Sequence, residues 1–348
     1  MKTAVESVIY FYLFMCITLL VYNVLYTLRS HWEEKKKDRR LSKWRAWLSD
    51  THPEKELQEN LALRLLRIDD LIAFFSALKE LLPDDAASAA FVRNNQRLMR
   101  TLALRYGRRS PMERAYFAYV VASFHAPTGE KHDILAEILL GYFEGSTVYC
   151  RENVLQALYA LGNVQAVEHA FEIISEHDWY HSPKLLADGM MRYTGDKQEL
   201  FDRLWKRRDR WQEYLLVGIV RFGMSLPENR RMPELLNALR SEQLPTEVRF
   251  ALIRFFQRHT YAPAKEMLIR FMEDGRLAIA AASALAAYPG EDTRRVLLKA
   301  LHSPNWYIRR NAAQTLYRLG IVQEDIRAIR ESGDRYALEM LEYTTGMS

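Results

Sequence analysis

The sequence has few cysteines, glycines and prolines and no stretch of low complexity. Its 348 residues include 2 Cys, 14 Gly and 11 Pro, and 49% of the residues are apolar. Cys16 and Cys150 are far apart and lack metal-ligand spacing, which is typical of a reducing compartment without structural disulfides. A chain of this length is also too long for one hydrophobic core. The composition therefore predicts a folded protein that divides into domains or extends as a repeat array.

Most of the chain also lacks net positive charge. The formal net charge of +5 comes from residues 29–45, which contain eight basic residues and three acidic ones, Glu33, Glu34 and Asp38. After Arg45, 40 basic side chains balance 40 acidic ones. Nucleic-acid-binding proteins generally present a basic surface. We therefore expect no nucleic-acid partner.

Sequence signatures of catalysis are missing as well: there is no nucleophile elbow, phosphate-binding loop, dinucleotide fingerprint or paired-cysteine site. His177 and His181 are four residues apart, a spacing that suits a metal site on a helix. They precede Ser182 and Pro183, where a turn is expected, and the glutamate of zinc hydrolases is absent. We therefore interpret both histidines as polar turn residues and expect no enzyme activity, metal, cofactor or small-molecule substrate.

One long apolar run stands near the N-terminus. Residues 8–28 contain no charged side chain, and as a helix they would span about 30 Å, the thickness of a hydrocarbon core. A secretory signal is the competing interpretation, but no small-residue cleavage site follows; a buried core helix is a third. We expect residues 1–28 to form a transmembrane anchor. Its predicted membrane contacts are Val8, Phe11, Phe14, Leu20, Tyr26 and Trp32.

Basic residues follow this run and set its expected orientation. Only Lys2 precedes the run, so the positive-inside rule puts the N-terminus outside and the remainder on the cytoplasmic side of a bacterial inner membrane. Residues 29–50 are expected to form a basic juxtamembrane amphipathic segment that lies on anionic lipid. The residues expected to face lipid are Lys35, Lys36, Lys37, Arg39 and Arg40.

Apolar residues at helical spacing lie within the same segment. They are Leu41, Trp44, Trp47 and Leu48. A helix on a lipid surface has this pattern, and so does a helix that packs on the first helices of the folded region. The sequence leaves both interpretations open.

A motif near the middle of the chain returns 158 residues later. Its members Arg151, Asn153, Leu158 and Gly162 recur as Arg309, Asn311, Leu316 and Gly320. The offset equals five steps of about 31 residues, a spacing typical of stacked helical pairs. The motif therefore predicts an array of paired helices, which is an architecture that usually binds other molecules.

The array is predicted to occupy residues 108–348, after an irregular helical cap over residues 51–107. Ser110 to Glu113 form a capping box that starts the first pair. Within the cap we expect a second capping box at residues 51–54 and one helix from about residue 86 to Gly107. The predicted pairs are 110–145, 146–176, 182–209, 210–242, 244–274, 275–303 and 304–332, followed by a helix over 334–343.

These motifs resemble a known family. The pattern apolar-Arg-x-x-Ala-x-x-x-Leu-x-x-Leu-Gly at residues 308–320 is similar to the HEAT repeat in its short bacterial form, which lyases that attach bilins to phycobiliproteins share. Gln257 and Ala278 depart from the pattern. The resemblance implies a right-handed α-solenoid used for protein contacts, and it implies no activity by itself.

The strongest basic patch of the array surrounds residues 202–211. Its candidate partner-binding residues are Trp205, Lys206, Arg207, Arg208, Arg210 and Trp211. The patch is interpreted either as a docking site for an acidic loop, phosphate or lipid head group, or as a solvated helix face held by ion pairs.

The sequence thus predicts an all-α protein with one transmembrane helix and a cytoplasmic solenoid of HEAT-like pairs. We expect a scaffold or adaptor for a membrane-associated protein, such as a membrane enzyme or a component of secretion or polysaccharide synthesis. The alternatives are a HEAT-like lyase, a DNA-repair enzyme, or an integral structural subunit of a larger membrane complex.

Overall fold

The chain is helical in both of its compact units. The structure, a computed structural model, describes residues 2–51, 60–82, 84–124, 133–227 and 230–346. Every regular element within these ranges is a helix, so the predicted all-α class is confirmed. Unit 1 is Met1–Asn163 and unit 2 is Val164–Ser348.

Unit 1 begins with a long helix and continues with shorter ones. They are α1 (Lys2–Thr51), α2 (Asn60–Arg64), α3 (Ile68–Leu81), α4 (Asp85–Asn94), α5 (Gln96–Tyr106), α6 (Pro111–Ser123), α7 (Ile134–Leu140) and α8 (Val148–Leu161). Its core holds an aromatic cluster in which Phe75 contacts both Phe74, at 5.0 Å, and Phe124, at 5.4 Å between ring centroids.

Two boundaries in unit 1 differ from the expected ones. The two segments expected over residues 1–28 and 29–50 share one uninterrupted helix, α1 (Lys2–Thr51). The single helix expected up to Gly107 is broken at Asn95, which is buried and whose side-chain amide donates to the Phe91 carbonyl at 3.0 Å. Asparagine favours such local bonds over a continued helix. Of the capping box expected at residues 51–54, residues 52–54 lie outside the described residues.

Unit 2 consists of two layers of helices. They are α9 (Val164–Glu176), α10 (Pro183–Met190), α11 (Lys197–Lys206), α12 (Glu213–Met224), α13 (Met232–Leu239), α14 (Thr246–Arg258), α15 (Ala264–Arg270), α16 (Ala278–Ala284), α17 (Glu291–Ala300), α18 (Trp306–Leu319), α19 (Gln323–Glu331) and α20 (Arg335–Thr345). The even-numbered helices pack on one another in succession and form the first layer. The odd-numbered helices form the second layer. The helices from α9 to α19 fall within the predicted pairs, and α20 corresponds to the predicted terminal helix but continues to Thr345.

Capping residues explain where several helices begin and end. The Ser110 hydroxyl accepts from the Glu113 amide, and the Glu113 carboxylate accepts from the Ser110 amide, so the predicted capping box is confirmed. Gly162 and Gly320 end α8 and α18 at φ of 69° and 82°. Only glycine adopts this left-handed conformation without strain, which explains its recurrence in the motif.

The recurring arginine of the motif serves the turn next to its helix. Arg151 donates to the Ser146 carbonyl at 3.2 Å, and Arg309 donates to the Ser303 carbonyl at 2.6 Å. Arg114 in α6 likewise donates to the Glu144 carbonyl at 2.7 Å. A turn carbonyl left without a donor would destabilise the fold. The arginine is thus a structural residue of the repeat.

Candidate functional site

The first surface of interest is the N-terminal part of α1. All described side chains from Tyr10 to Arg39 are exposed, and the helix is long and apolar enough to cross a membrane by length and composition alone. A signal sequence near an N-terminus has the same features. Among the predicted membrane contacts the exposed fractions are 60% for Phe11, 68% for Phe14, 66% for Leu20, 63% for Tyr26 and 77% for Trp32. The Val8 side chain lies outside the described residues.

The C-terminal part of α1 packs on unit 1. Leu48 is fully buried and Trp44 nearly so, and the Trp44 ring meets Phe74 edge-on at 5.3 Å. The Arg64 guanidinium lies over the Trp44 ring at 4.5 Å, a favourable cation–π contact. Leu41 and Trp47 are half-buried. Of the two interpretations of these four residues, packing on the first helices of the folded region is therefore the one observed.

Two ion pairs reinforce this contact between α1 and α3. Arg40 pairs with Asp69, and Arg45 donates to Glu80 at 2.7 Å. The hydrogen bond from Arg45 holds the pKa of the Glu80 carboxyl below its ordinary value. Arg40, expected to face lipid, is thus engaged by the protein, whereas Lys35, Lys36, Lys37 and Arg39 are exposed.

The second surface is the basic patch of α11, which we call the α11 cluster (residues 202–211). Glu168 of α9 is 5% exposed and lies between two guanidinium groups: Arg203 pairs with one carboxylate oxygen and Arg207 lies 2.6 Å from the other. Arg207 also pairs with Glu172, from which Arg210 is 3.6 Å away. Three arginines of the α11 cluster therefore lie within ion-pair distance of two carboxylates on α9, the preceding second-layer helix.

The remaining members of the α11 cluster differ in accessibility. Trp205 is fully buried and Trp211 is 6% exposed, with its indole donating to the Leu204 carbonyl at 2.7 Å. Neither tryptophan can meet a partner, so their place in the predicted binding set is corrected: both belong to the core of unit 2. Arg208 lies over the Trp205 ring at 5.6 Å, and Lys206 is exposed.

The two histidines lie in the turn between α9 and α10, as expected. His177 stacks on Trp179 at 4.4 Å and its Nδ1 lies 2.9 Å from the Ile173 carbonyl oxygen. His181 is 1% exposed. In the described part of the chain, no three His, Cys, Asp or Glu side chains come close enough to hold a metal ion.

The third surface is a groove across three first-layer helices, which we call the α16 groove. It has a volume of about 390 Å³. Ala280 and Ser283 of α16 present short side chains, whereas Phe250 of α14 is large, so the surface is lower over α16. The groove is lined by Glu247, Phe250, Arg254, Gln257, Arg276, Ile279, Ala280, Ser283 and Asn311.

Side chains from the flanking helices hold α16 in place. Gln257 of α14 donates to the Ser283 carbonyl at 3.1 Å, and Asn311 of α18 donates to the Ile279 carbonyl at 2.8 Å. Asn311 is the recurring asparagine of the motif. Since these bonds satisfy backbone groups of a short helix, the base of the α16 groove is fixed.

The two arginines of the α16 groove differ from those of the α11 cluster. Arg254 and Arg276 are exposed, and within the described ranges neither guanidinium has an ion pair or a hydrogen bond. Sequence reasoning missed this groove. The available signal was the alanine-rich stretch from Ala278 to Ala287, whose small residues leave space between larger neighbours.

Part of unit 2 matches a protein-family model. Residues 265–334, which form α15 to α19, match the family model described as HEAT repeats. No curated protein matches the chain. Together with the all-helical fold, the match supports a HEAT-repeat family and an α-solenoid, an architecture that generally mediates protein–protein interaction.

Proposed function

We propose that this protein is a single-pass membrane scaffold whose helical array binds a protein partner on the cytoplasmic side of a bacterial inner membrane. The observation that carries the proposal is the division of α1 into two parts. Its N-terminal part exposes apolar side chains, and its C-terminal part is packed on unit 1. A helix of 50 residues extends about 75 Å, which is more than twice what a bilayer core requires.

Continuity of α1 makes the proposed tether stiff. A span that joined the folded region through a flexible linker would let that region sample many orientations. Here the helix that would leave the membrane is held by Trp44, Leu48 and the pairs with Asp69 and Glu80. The tether would therefore keep unit 1 at a defined distance from the bilayer and raise the effective concentration of a membrane-associated partner.

The exposed basic residues of α1 suit the proposed orientation. Lys35, Lys36, Lys37 and Arg39 follow the apolar stretch directly and are exposed. Each basic side chain near an anionic surface contributes about 1 kcal/mol of attraction. We propose that these four residues contact the lipid of the inner leaflet, and that the array, in the right-handed sense expected of the family, has no catalytic role.

Lysines placed in the apolar stretch test the tether. The double variant L19K/L20K puts two charges near the middle of the span, at a cost of about 5–7 kcal/mol. We expect wild type to remain in the membrane fraction after carbonate extraction and L19K/L20K to be released. The control is S30K/H31K, which adds the same charge at exposed positions beyond the apolar stretch and should remain in the membrane.

Orientation and processing are tested on the intact chain. A green fluorescent protein fused after Ser348 should fluoresce, and an alkaline phosphatase in the same place should be inactive. Mass spectrometry should find an uncleaved N-terminal segment. An active phosphatase, or loss of the apolar stretch by cleavage, would contradict the proposal.

A further inference from the structure

The α16 groove has the features of a peptide-binding surface. Its base is held by Gln257 and Asn311, so it exists before any partner binds, and preformed surfaces avoid the entropy cost of ordering on binding. Phe250, Ile279 and Ala280 supply apolar contact area. Arg254 and Arg276 are exposed, and among the described residues no acidic side chain pairs with them.

The helix α18, which forms one wall of the groove, carries an exposed aromatic side chain. Tyr307 lies four residues before Asn311, hence on the same face of the helix, and it is 59% exposed. The helix α18 contains three arginines and no acidic residue. Tyrosine and arginine are the residue types that contribute most often to protein interfaces. Tyr307 thus adds aromatic surface to the face of α18 that carries Asn311, whereas Arg309 donates to the Ser303 turn.

We propose that the α16 groove binds an acidic segment of the partner protein. Carboxylates of that segment would pair with Arg254 and Arg276, and its apolar side chains would contact Phe250 and Ile279. Charge complementarity selects this occupant, because arginine forks match carboxylates. A nucleic acid is disfavoured because the side chains after Arg45 carry no net positive charge. The proposal deepens the proposed function, on which it rests, by naming the binding site and the chemistry of the partner.

The probe is a set of 12-residue peptides selected by phage display on the full chain in detergent micelles. We expect the selected peptides to be enriched in Asp and Glu together with large apolar residues. By fluorescence anisotropy, R254E/R276E should weaken their binding at least about tenfold. The matched control R240E/R295E reverses two arginines that are exposed and do not line the groove, and it should bind within about twofold of wild type.

A charge swap separates binding from folding. Peptides whose acidic residues are replaced by lysine should not bind wild type, and should bind R254E/R276E more tightly than wild type. If R254E/R276E does not fold, the neutral variant R254Q/R276Q takes its place, with an expected loss of at least about threefold.

Several results would overturn the proposal. Selected peptides without acidic enrichment would do so, as would binding that R254E/R276E leaves unchanged. If no peptide binds but phosphatidylglycerol vesicles bind through Arg254 and Arg276, the groove would be assigned to lipid. If no peptide binds but the chain self-associates through these two arginines, the groove would be assigned to a second copy. Because the peptide assay is carried out in micelles, its failure leaves the tether experiments unaffected, and failure of the tether leaves the peptide result standing.

Discussion

The α11 cluster and the α16 groove both present arginines, but the two surfaces use them differently. In the α11 cluster, Arg203 and Arg207 converge on the nearly buried Glu168, which comes from the preceding second-layer helix. In the α16 groove, Arg254 and Arg276 form no ion pair within the described ranges. In the denser basic stretch, Arg203 and Arg207 are therefore already paired. An arginine is available to a partner protein when no acidic residue one repeat away pairs with it.

Ion pairs of this kind recur through the second layer of unit 2. Arg231 contacts Asp202 at 2.6 Å, Lys265 contacts Asp292 at 3.4 Å, and Arg294 contacts Asp325 at 2.9 Å. The partners are 27 to 31 residues apart, which is close to one repeat. The second layer is thus held in part by charge, and the first layer near α16 by side-chain bonds to backbone carbonyls.

The largest expected effect compares a tryptophan of the α11 cluster with one on α18, a helix that contributes Asn311 to the α16 groove. Trp205 is fully buried in the α11 cluster, whereas Trp306 at the start of α18 is 45% exposed. Removing a buried aromatic ring costs about 3–5 kcal/mol. We expect W205A to lower the free energy of unfolding by that amount in urea titrations, and W306A to change it by about 0.5 kcal/mol or less. Equal losses in both variants would show that the tryptophans do not differ as described.

A smaller loss is expected when the shared carboxylate of the α11 cluster is removed. E168Q leaves Arg203 without its charged partner and Arg207 with Glu172 as its remaining partner, and hydrogen bonds to charged groups contribute about 1.5–3 kcal/mol each. We expect unfolding free energy to fall by about 2–3 kcal/mol. The control E247Q changes an exposed glutamate of the α16 groove. If E247Q lowered the free energy of unfolding as much as E168Q, Glu168 would not be the structural carboxylate described here.

The smallest expected effect is on the pH dependence of stability, and it tests an ion pair of the second layer, Arg294 with Asp325. Burial alone would raise the pKa of Asp325, but hydrogen bonds from Arg294 and from the Val322 amide outweigh it, so the pKa lies below its ordinary value. A lowered pKa stabilises the fold above the unfolded value of about 3.9 and loses this contribution as pH falls through the folded value. We expect D325N to be less stable than wild type by about 1–2 kcal/mol at pH 6, and this difference to shrink below pH 4. A difference that stays constant down to pH 3 would contradict the assigned pair.

Local signals predicted much of the fold. The capping box at Ser110, the glycines after α8 and α18, and apolar residues at helical spacing define where helices begin and end. Each of these signals depends only on residues within about one helical turn. They can therefore be recognised in the sequence alone. The offset of the repeated motif then gave the pair length.

Features that depend on contacts across repeats were less accessible. The sequence grouped Trp205 and Arg207 in one basic patch, but it could not show that the first is buried while the second pairs with Glu172. The α16 groove depends on the difference in size between Ala280 and its neighbours on α14 and α18, which no single helix reveals. The continuity of α1 was also missed, because a change in composition at residue 28 was interpreted as a boundary.

The most direct test compares R203E/R207E with R254E/R276E in one preparation, by thermal unfolding and by affinity for the selected acidic peptides. We predict that R203E/R207E lowers the unfolding temperature, because it places two carboxylates beside the buried Glu168, and that its peptide affinity at temperatures where it is folded stays within about twofold of wild type. R254E/R276E should keep the unfolding temperature and lose peptide affinity. If R203E/R207E lost affinity while R254E/R276E retained it, the assignment of a structural and a binding surface would be reversed.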